Sequence, residues 1–401
     1  VLSFPEGVET MERLCCENCF SDRDVQKLVR QNGCKTGICA YCGKGNAVSC
    51  ISPRKLALDF QPLLDLFIKE SFREISEDFA DPDGPEGSPL PQAIQDFWQV
   101  FSEGLFARKK ECSLLDAVRG YKRGGKIINR LTKKEEAPSD RYWVIRSGLE
   151  YRQDAKWEWE EFCTDLKQTN RFFPSYRSDP TSILKKLAER LSTIAKKGKS
   201  VFRARVSPHN VNPELYKSTS LNAPPSQKAK AGRLNPVGIP VLYVAEDIDT
   251  AVEELRPWVG AVVSVVEQKT TRETNIVDFT NLDVFNHPFR HNDLGNLLVH
   301  KHFARLLNQA FSTPVSTSDS PFEYLPSQYV ASLIKNEGYD GIKYSSSVRE
   351  GGKNIALFNQ DICEHADNPV YCEIQKIDYK FKKYRTAGVF RTPRILKDRW
   401  E

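Results

Sequence analysis

The sequence predicts an α+β chain of several domains: a small cysteine-rich segment, a helical region and a mixed β domain. Three observations carry this. Seven of the eleven cysteines fall in the first 50 residues. Apolar residues at helical spacing dominate between residues 51 and 195. From Ser200 the pattern changes to alternating and short apolar runs rich in valine, which read as strands. At 401 residues, with 40% hydrophobic and 28% charged residues, the chain is long enough for two or three cores. No apolar run reaches the length needed to span a bilayer.

The first ten residues lack the basic and apolar stretches of a secretory signal, so a cytoplasmic protein is expected. The single methionine, Met11, is read as lying near the natural start, with residues 1–10 an extension. In the next segment, 11–50, Cys16-x2-Cys19 and Cys39-x2-Cys42 are separated by nineteen residues, a spacing expected of a structural zinc site. Two residues between thiolates let both sulfurs reach one tetrahedral ion, and Gly43 supplies the turn after the second pair. Cys15 and Cys34 are the substitute ligands. The segment is too short and polar to bury a core, so metal is expected to supply its folding energy. Four thiolates leave no open position, which makes the zinc structural. A disulfide cluster would need an oxidising compartment.

Residues 51–195 follow. Leu63, Leu64, Phe67, Ile68 and Ile75 mark one helix, and Asp81–Gly87 breaks it. Ile94, Phe97, Trp98, Phe101 and Leu105 mark a second. Trp159, Phe162 and Leu166 mark a third, and Ile183, Leu184, Leu187, Leu191 and Ile194 a fourth. These stripes are read as core.

The β domain is expected over 200–375, with strands at 201–206, 241–245, 261–266 and 355–358, and a helix from Leu294 to Ala310. His300 and His302 on that helix are two apart, which does not suit a metal pair on one face. Pro208–Lys230 is read as a loop or lid. Within this domain Arg233, in Gly232-Arg233-Leu234-Asn235, precedes Tyr243 by ten residues, and Glu254 follows after eleven more. Ser346 lies later, in Gly341-Ile342-Lys343-Tyr344-Ser345-Ser346. Such a set suits an anionic dinucleotide with a breakable glycosidic bond. Arginine grips phosphate bidentately, tyrosine stacks on a base, and glutamate supports positive charge developing on a ribose. Glu253 competes with Glu254, since adjacent helical positions point about 100° apart. Arg203 and Arg205 share one strand face and are candidates for a second phosphate or ribose contact. Gln328 is a candidate for hydrogen bonding to the cofactor, or for a helix cap.

The net charge of +5 sits at the end of the chain. Glu373–Glu401 holds nine Lys/Arg against four Asp/Glu, leaving the rest balanced at 49 against 49. A nucleic-acid surface needs a basic stripe on a folded domain, so nucleic-acid binding is not expected and 376–401 is read as a basic tail.

The order and spacing of these site residues resemble the RES-domain family, named for its Arg, Glu and Ser. Its known members degrade NAD on an ADP-ribosyltransferase-like fold. The resemblance implies that Arg233 contacts the NAD phosphates, Tyr243 orients the nicotinamide, Glu254 stabilises the ribose cation and Ser346 completes the site. The family's usual proline before the serine is Ser345 here, so Ser346 and Ser347 both remain open. Cleavage of the nicotinamide–ribose bond would then use water or phosphate as acceptor. The alternatives are an ADP-ribosyltransferase acting on a macromolecule and a non-catalytic zinc-ribbon interaction protein. Known relatives are toxins held by an antitoxin, so an antitoxin or another regulatory partner is expected. The middle region resembles the HEPN-like helical region that precedes RES domains in some bacterial proteins. HEPN ribonucleases use an Arg-x4-6-His motif, and all six histidines here lie at His209 or later. The region is therefore read as a regulatory or assembly module, homo-oligomer formation included.

Overall fold

The structure is a computed structural model that describes residues 13–33, 37–43, 49–69, 88–123, 125–140, 142–145, 148–172, 180–207, 218–291, 293–313, 321–366 and 368–378. Met11, Cys34, Ile75, the Asp81–Gly87 break, much of the expected lid and most of the basic tail lie outside them. The cysteine segment opens with β1 (Cys15–Cys16), paired antiparallel with β2 (Cys50–Ile51). Between them α1 (Arg23–Asn32) starts on Asp22, whose carboxylate accepts from the Asp24 and Val25 amides at 2.8 and 3.0 Å.

The middle region holds α2 (Ala57–Leu64), β3 (Phe67–Lys69), β4 (Ser88–Pro89), α3 (Leu90–Phe97), α4 (Glu103–Ala107) and α5 (Glu111–Arg119). Then come β5 (Gly120–Arg123), β6 (Lys126–Asn129), β7 (Glu135–Glu136), β8 (Tyr142–Ile145), α6 (Gly148–Thr164) and α7 (Pro180–Leu191). It is not helical throughout. Two three-stranded sheets, β3-β8-β4 and β5-β6-β7, interrupt the helices. Phe67 and Ile68, expected on a helix, lie in β3, where they pair with Ile145 and Val144. The second expected helix is two. It ends at Phe97, because Trp98 turns extended (φ −143°, ψ 133°) and the Gln95 amide takes over the Phe101 backbone at 3.0 and 3.1 Å. Phe101 then forms a bridge with Phe20, and Leu105 sits in α4. Tertiary pairing thus overrode a stripe that was locally consistent with one helix. Ile194 likewise falls in a strand, β9 (Ser192–Ala195), after α7 ends.

The remaining elements are β10 (Ser200–Val206), β11 (Leu242–Ala245), α8 (Ile248–Glu253), β12 (Val262–Thr270), β13 (Thr274–Asp278), α9 (Leu294–Ser312) and α10 (Leu325–Asn336). They end with β14 (Gly341–Ser345), β15 (Lys353–Leu357), β16 (Cys363–His365) and β17 (Val370–Glu373). Eight strands run in the order β16-β12-β10-β11-β15-β14-β13-β9, and β17 adds to β12. All pairs are antiparallel except β13–β14. The four strands expected from the valine-rich runs and the Leu294 helix are present with shifted ends.

One apolar cluster runs from Cys15 to Phe358, through all three expected domains. Phe60 of α2 meets Phe289 with ring centroids 4.9 Å apart. Trp159 and Phe162 of α6 meet Phe303 of α9 and Tyr329 of α10 at 5.9 and 5.5 Å. The Trp98 indole donates to the Phe285 carbonyl at 3.1 Å, and Arg290 pairs with Asp24 at 2.7 Å. The N-terminal regions therefore cover the helical layer of the β domain. Among the described residues no helix is long and apolar enough to cross a membrane.

Candidate functional site

The site grows from the turn at Gly232–Asn235. Gly232 donates to the Asn235 carbonyl at 2.9 Å. A side chain at Gly232 would collide with Asn235 Oδ1 at 2.5 Å and the Tyr243 hydroxyl at 2.9 Å, so close approach explains the glycine. Three neighbours hold the turn. From β11, the Tyr243 hydroxyl donates to Asn235 Oδ1 at 2.8 Å and accepts from the Leu234 amide at 3.1 Å. From α10, Gln328 Nε2 donates to the Gly232 and Asn235 carbonyls at 2.8 and 3.0 Å. Ser327, beside it, donates to the Arg233 carbonyl at 2.6 Å. With its backbone fixed, Arg233 places Nη1 on the Phe311 and Ser312 carbonyls at 3.0 and 2.6 Å, the C-terminal end of α9. Among the described residues its other donors make no hydrogen bond and remain for a ligand.

Two candidate roles change at this turn. Burial pushes Tyr243 up to about 12, and both capacities of its hydroxyl are engaged, so the residue offers a ring face rather than a proton. The Gln328 amide nitrogen is committed to the turn, which makes the side chain a brace. Arg203 lies alongside on β10, with Nη1 donating to the Tyr243 carbonyl at 2.7 Å. Among the described residues its Nε is buried without a partner, and burial lowers the guanidinium to about 10. A buried cation with a spare donor suits an anion. Arg205, exposed, donates to the Ser220 carbonyl at 2.8 Å.

Across the same sheet stands the carboxylate. Asp247 caps α8 by accepting from the Thr250 amide at 2.8 Å, and Glu254 is the residue on which that helix ends. Glu254 Oε1 accepts from Ser346 Oγ at 2.7 Å and from Asn354 Nδ2 at 2.6 Å. Ser346 Oγ in turn accepts from the Val348 and Arg349 amides at 3.2 and 3.1 Å, which aims its proton at Glu254. Glu253 points elsewhere and pairs with Arg349 at 2.6 Å, beside Asp249 at 2.7 Å on the same guanidinium. Asn308 of α9 ties down Ser345 through amide and hydroxyl at 2.9 and 3.0 Å. Asn354 was missed in the sequence. Its signal was a polar side chain at the head of the apolar run Ile355-Ala356-Leu357, where burial demands a partner.

β15 joins the two groups. Asn354 pairs across the ladders with Ala245 on one side and Tyr344 on the other, and Tyr243 faces Ala356. Burial pushes the Tyr344 phenol up, and Tyr243, Arg233 and Glu254 all lie near enough to shift it. The structure therefore brings Arg233, Tyr243, Arg203, Glu254 and Ser346 around one part of the sheet, with Gln328 behind the turn.

Residues 201–382 match the RES domain. The matched stretch covers every one of these side chains and all strands of the sheet but β9, and leaves the N-terminal half outside it. Among solved structures, the crystal structure of the M. tuberculosis MbcT–MbcA toxin–antitoxin complex is similar at 12% identity, over 49% of this chain and 93% of that chain, with a TM-score of 0.28. No curated protein matches the chain.

Ahead of the matched residues, four buried sulfurs lie together. The thiols of Cys16, Cys19, Cys39 and Cys42 all lie within 4.8 Å of one another. Cys16 is 3.3 Å from Cys42, and Cys19 is 3.4 Å from Cys39. A tetrahedral ion with sulfur bonds of about 2.3 Å spaces its ligands roughly 3.8 Å apart, so the set fits one metal. The Tyr41 and Cys42 amides donate to Cys39 Sγ at 3.4 Å each, a contact that favours a thiolate. Cys15 is not part of the group, because its thiol donates to the Ile51 carbonyl at 3.5 Å. A further cluster, Asp22, Asp24 and His287, is committed to the α1 cap and to Arg290.

Proposed function

We propose that the RES domain of this chain degrades NAD by cleaving the bond between nicotinamide and ribose. The observation that carries this reading is the Glu254 carboxylate, held at one oxygen by Ser346 and Asn354 beside a turn that presents Arg233. As the C1–N bond of the ribose breaks, the electron pair leaves with neutral nicotinamide and positive charge develops on the sugar. A fixed carboxylate stabilises that charge without reorganising. Arg233, with Arg203 behind it, binds the pyrophosphate, while the Tyr243 ring packs against the departing base. Water adds to C1 and releases a proton, giving ADP-ribose; inorganic phosphate gives the 1-phosphate instead.

Ser346 acts as a positioning residue that fixes the Glu254 rotamer. Zinc at Cys16, Cys19, Cys39 and Cys42 supplies the cross-link that a short polar segment needs to fold. The protein is placed in the cytoplasm, and because NAD loss is toxic, an antitoxin partner or the N-terminal half restrains the enzyme. The shared core makes that half a natural restraint in cis. Initial rates of nicotinamide release, with and without phosphate, test the reading and separate the two acceptors. Radiolabel from NAD appearing on protein instead would assign the ADP-ribosyltransferase alternative. No turnover by a folded, zinc-loaded chain would leave the non-catalytic one.

A further inference from the structure

The last turn of α9 touches both halves of the candidate site. Phe311, fully buried, seats that turn, with ring centroids 5.1 Å from Phe279 and 6.3 Å from Tyr344. From this turn the Phe311 and Ser312 carbonyls accept from Arg233 Nη1 at 3.0 and 2.6 Å. Just ahead of them on the same helix, Asn308 reaches the end of β14. Its Oδ1 accepts from the Ser345 amide at 2.9 Å, and its Nδ2 donates to Ser345 Oγ at 3.0 Å. The ladder explains why this contact exists. β13 ends at Asp278, opposite Lys343. The Ser346 amide donates to the Gly352 carbonyl on the β15 side at 2.8 Å, so alternation turns the Ser345 amide to the side where β13 has stopped. A side-chain amide carries the donor and the acceptor of a peptide group, and Asn308 stands in there for a strand. The next residue is Ser346, whose hydroxyl donates to Glu254 Oε1 at 2.7 Å.

We propose that Asn308 is a positioning residue for this site, fixing the start of the 346–352 loop so that Ser346 aims at Glu254. The assignment rests on the NAD-cleaving reading above. Arg233 is held by backbone carbonyls of α9, which a change at the Asn308 side chain leaves in place. The two halves of the site therefore respond differently. Loss of Asn308 lets Ser346 shift while the phosphate side stays put, and a misplacement of about 1 Å costs on the order of 100-fold in rate.

The test combines steady-state nicotinamide release with amide hydrogen exchange of the full chain. Asn308→Ala should lower kcat about 10- to 100-fold and leave the KM for NAD little changed. Ser346→Ala should lower kcat too, and adding Asn308→Ala to it should cost less than about 3-fold more, because the route through Ser346 is already gone. Effects that multiply would mark a general loss of structure and overturn the proposal. So would a parent-like kcat in Asn308→Ala, or a rise in KM that exceeds the fall in kcat. Ser345→Ala removes only the second bond and keeps the test open if Asn308→Ala does not fold. It should lower kcat about 5-fold at unchanged KM, and a parent-like kcat there also counts against the proposal. Exchange is read without NAD: the Ser345, Val348 and Arg349 amides should exchange about 5-fold faster or more in Asn308→Ala, the loss of one hydrogen bond. Unchanged exchange would overturn the proposal even in a chain that cleaves NAD. Faster exchange in the variant of a parent chain that releases no nicotinamide would sink instead the NAD reading on which the assignment rests.

Discussion

Replacing Glu254 with glutamine isolates charge from shape. Both donors to the side chain, Ser346 Oγ and Asn354 Nδ2, converge on Oε1, at 2.7 and 2.6 Å. A glutamine that keeps its oxygen there retains both contacts and carries its amide where Oε2 stands. The fold should be undisturbed, and the unfolding temperature should stay close to that of the parent. What disappears is the negative charge facing the ribose as it becomes cationic. Removing one preorganised electrostatic partner of a transition state costs about 100- to 1,000-fold in turnover, or about 3–4 kcal/mol. The KM for NAD should change far less, because in the proposed function Arg233 and not Glu254 binds the phosphates. Steady-state release of nicotinamide over a range of NAD concentrations measures both parameters. Glu253→Gln serves as the control, since that carboxylate is occupied by Arg349. Wild-type turnover by Glu254→Gln would refute the carboxylate mechanism, and loss in Glu253→Gln alone would put the register wrong by one.

Arg233→Ala should raise the KM for NAD more than it lowers kcat, read from the same saturation curves. Tyr243→Phe leaves the Leu234 amide and Asn235 Oδ1 without their partner, so chemical denaturation should show a loss of about 1–3 kcal/mol. Burial lowers His300 from 6.5 to about 4, below its unfolded value, so the unfolded chain takes up the extra proton first. Stability should be full above pH 6.5 and fall as pH drops toward 4, by at most about 3 kcal/mol; His300→Gln should flatten that slope in thermal melts. Cys16→Ser or Cys39→Ser should release about one equivalent of zinc by elemental analysis, whereas metal-free protein with those cysteines oxidised would contradict the structural site.

The large sheet was the most legible part of the chain, because β10, β11, β12 and β15 each coincide with a short apolar or alternating run. Helix α9 was legible too, and Asp293 caps it, accepting from the Asn296 amide at 3.0 Å. The β5–β6 hairpin carried a readable signal that was passed over: Gly125, at φ 76°, precedes the strand whose first residue, Lys126, pairs with Arg123. By contrast, nothing near Phe101 in the sequence shows that it bridges to Phe20, eighty-one positions away. The packing of Phe60 on Phe289 was equally hidden, so the domains looked more separate than their common core makes them. At the candidate site, spacing located the residues but not their partners. Which of Glu253 and Glu254 faces inward is decided by Arg349 and Ser346, more than ninety residues on. The sequence reads Tyr243 as stacking on a base through its ring, and that its hydroxyl is spent on Asn235 is visible only once the Gly232 turn is folded.

The most direct measurement is a proton NMR time course of NAD mixed with the purified full chain. The account predicts that free nicotinamide rises one for one as NAD falls, with ADP-ribose or its 1-phosphate as the other product. Unchanged NAD in the presence of folded protein, or cleavage at the pyrophosphate to two mononucleotides, would contradict it.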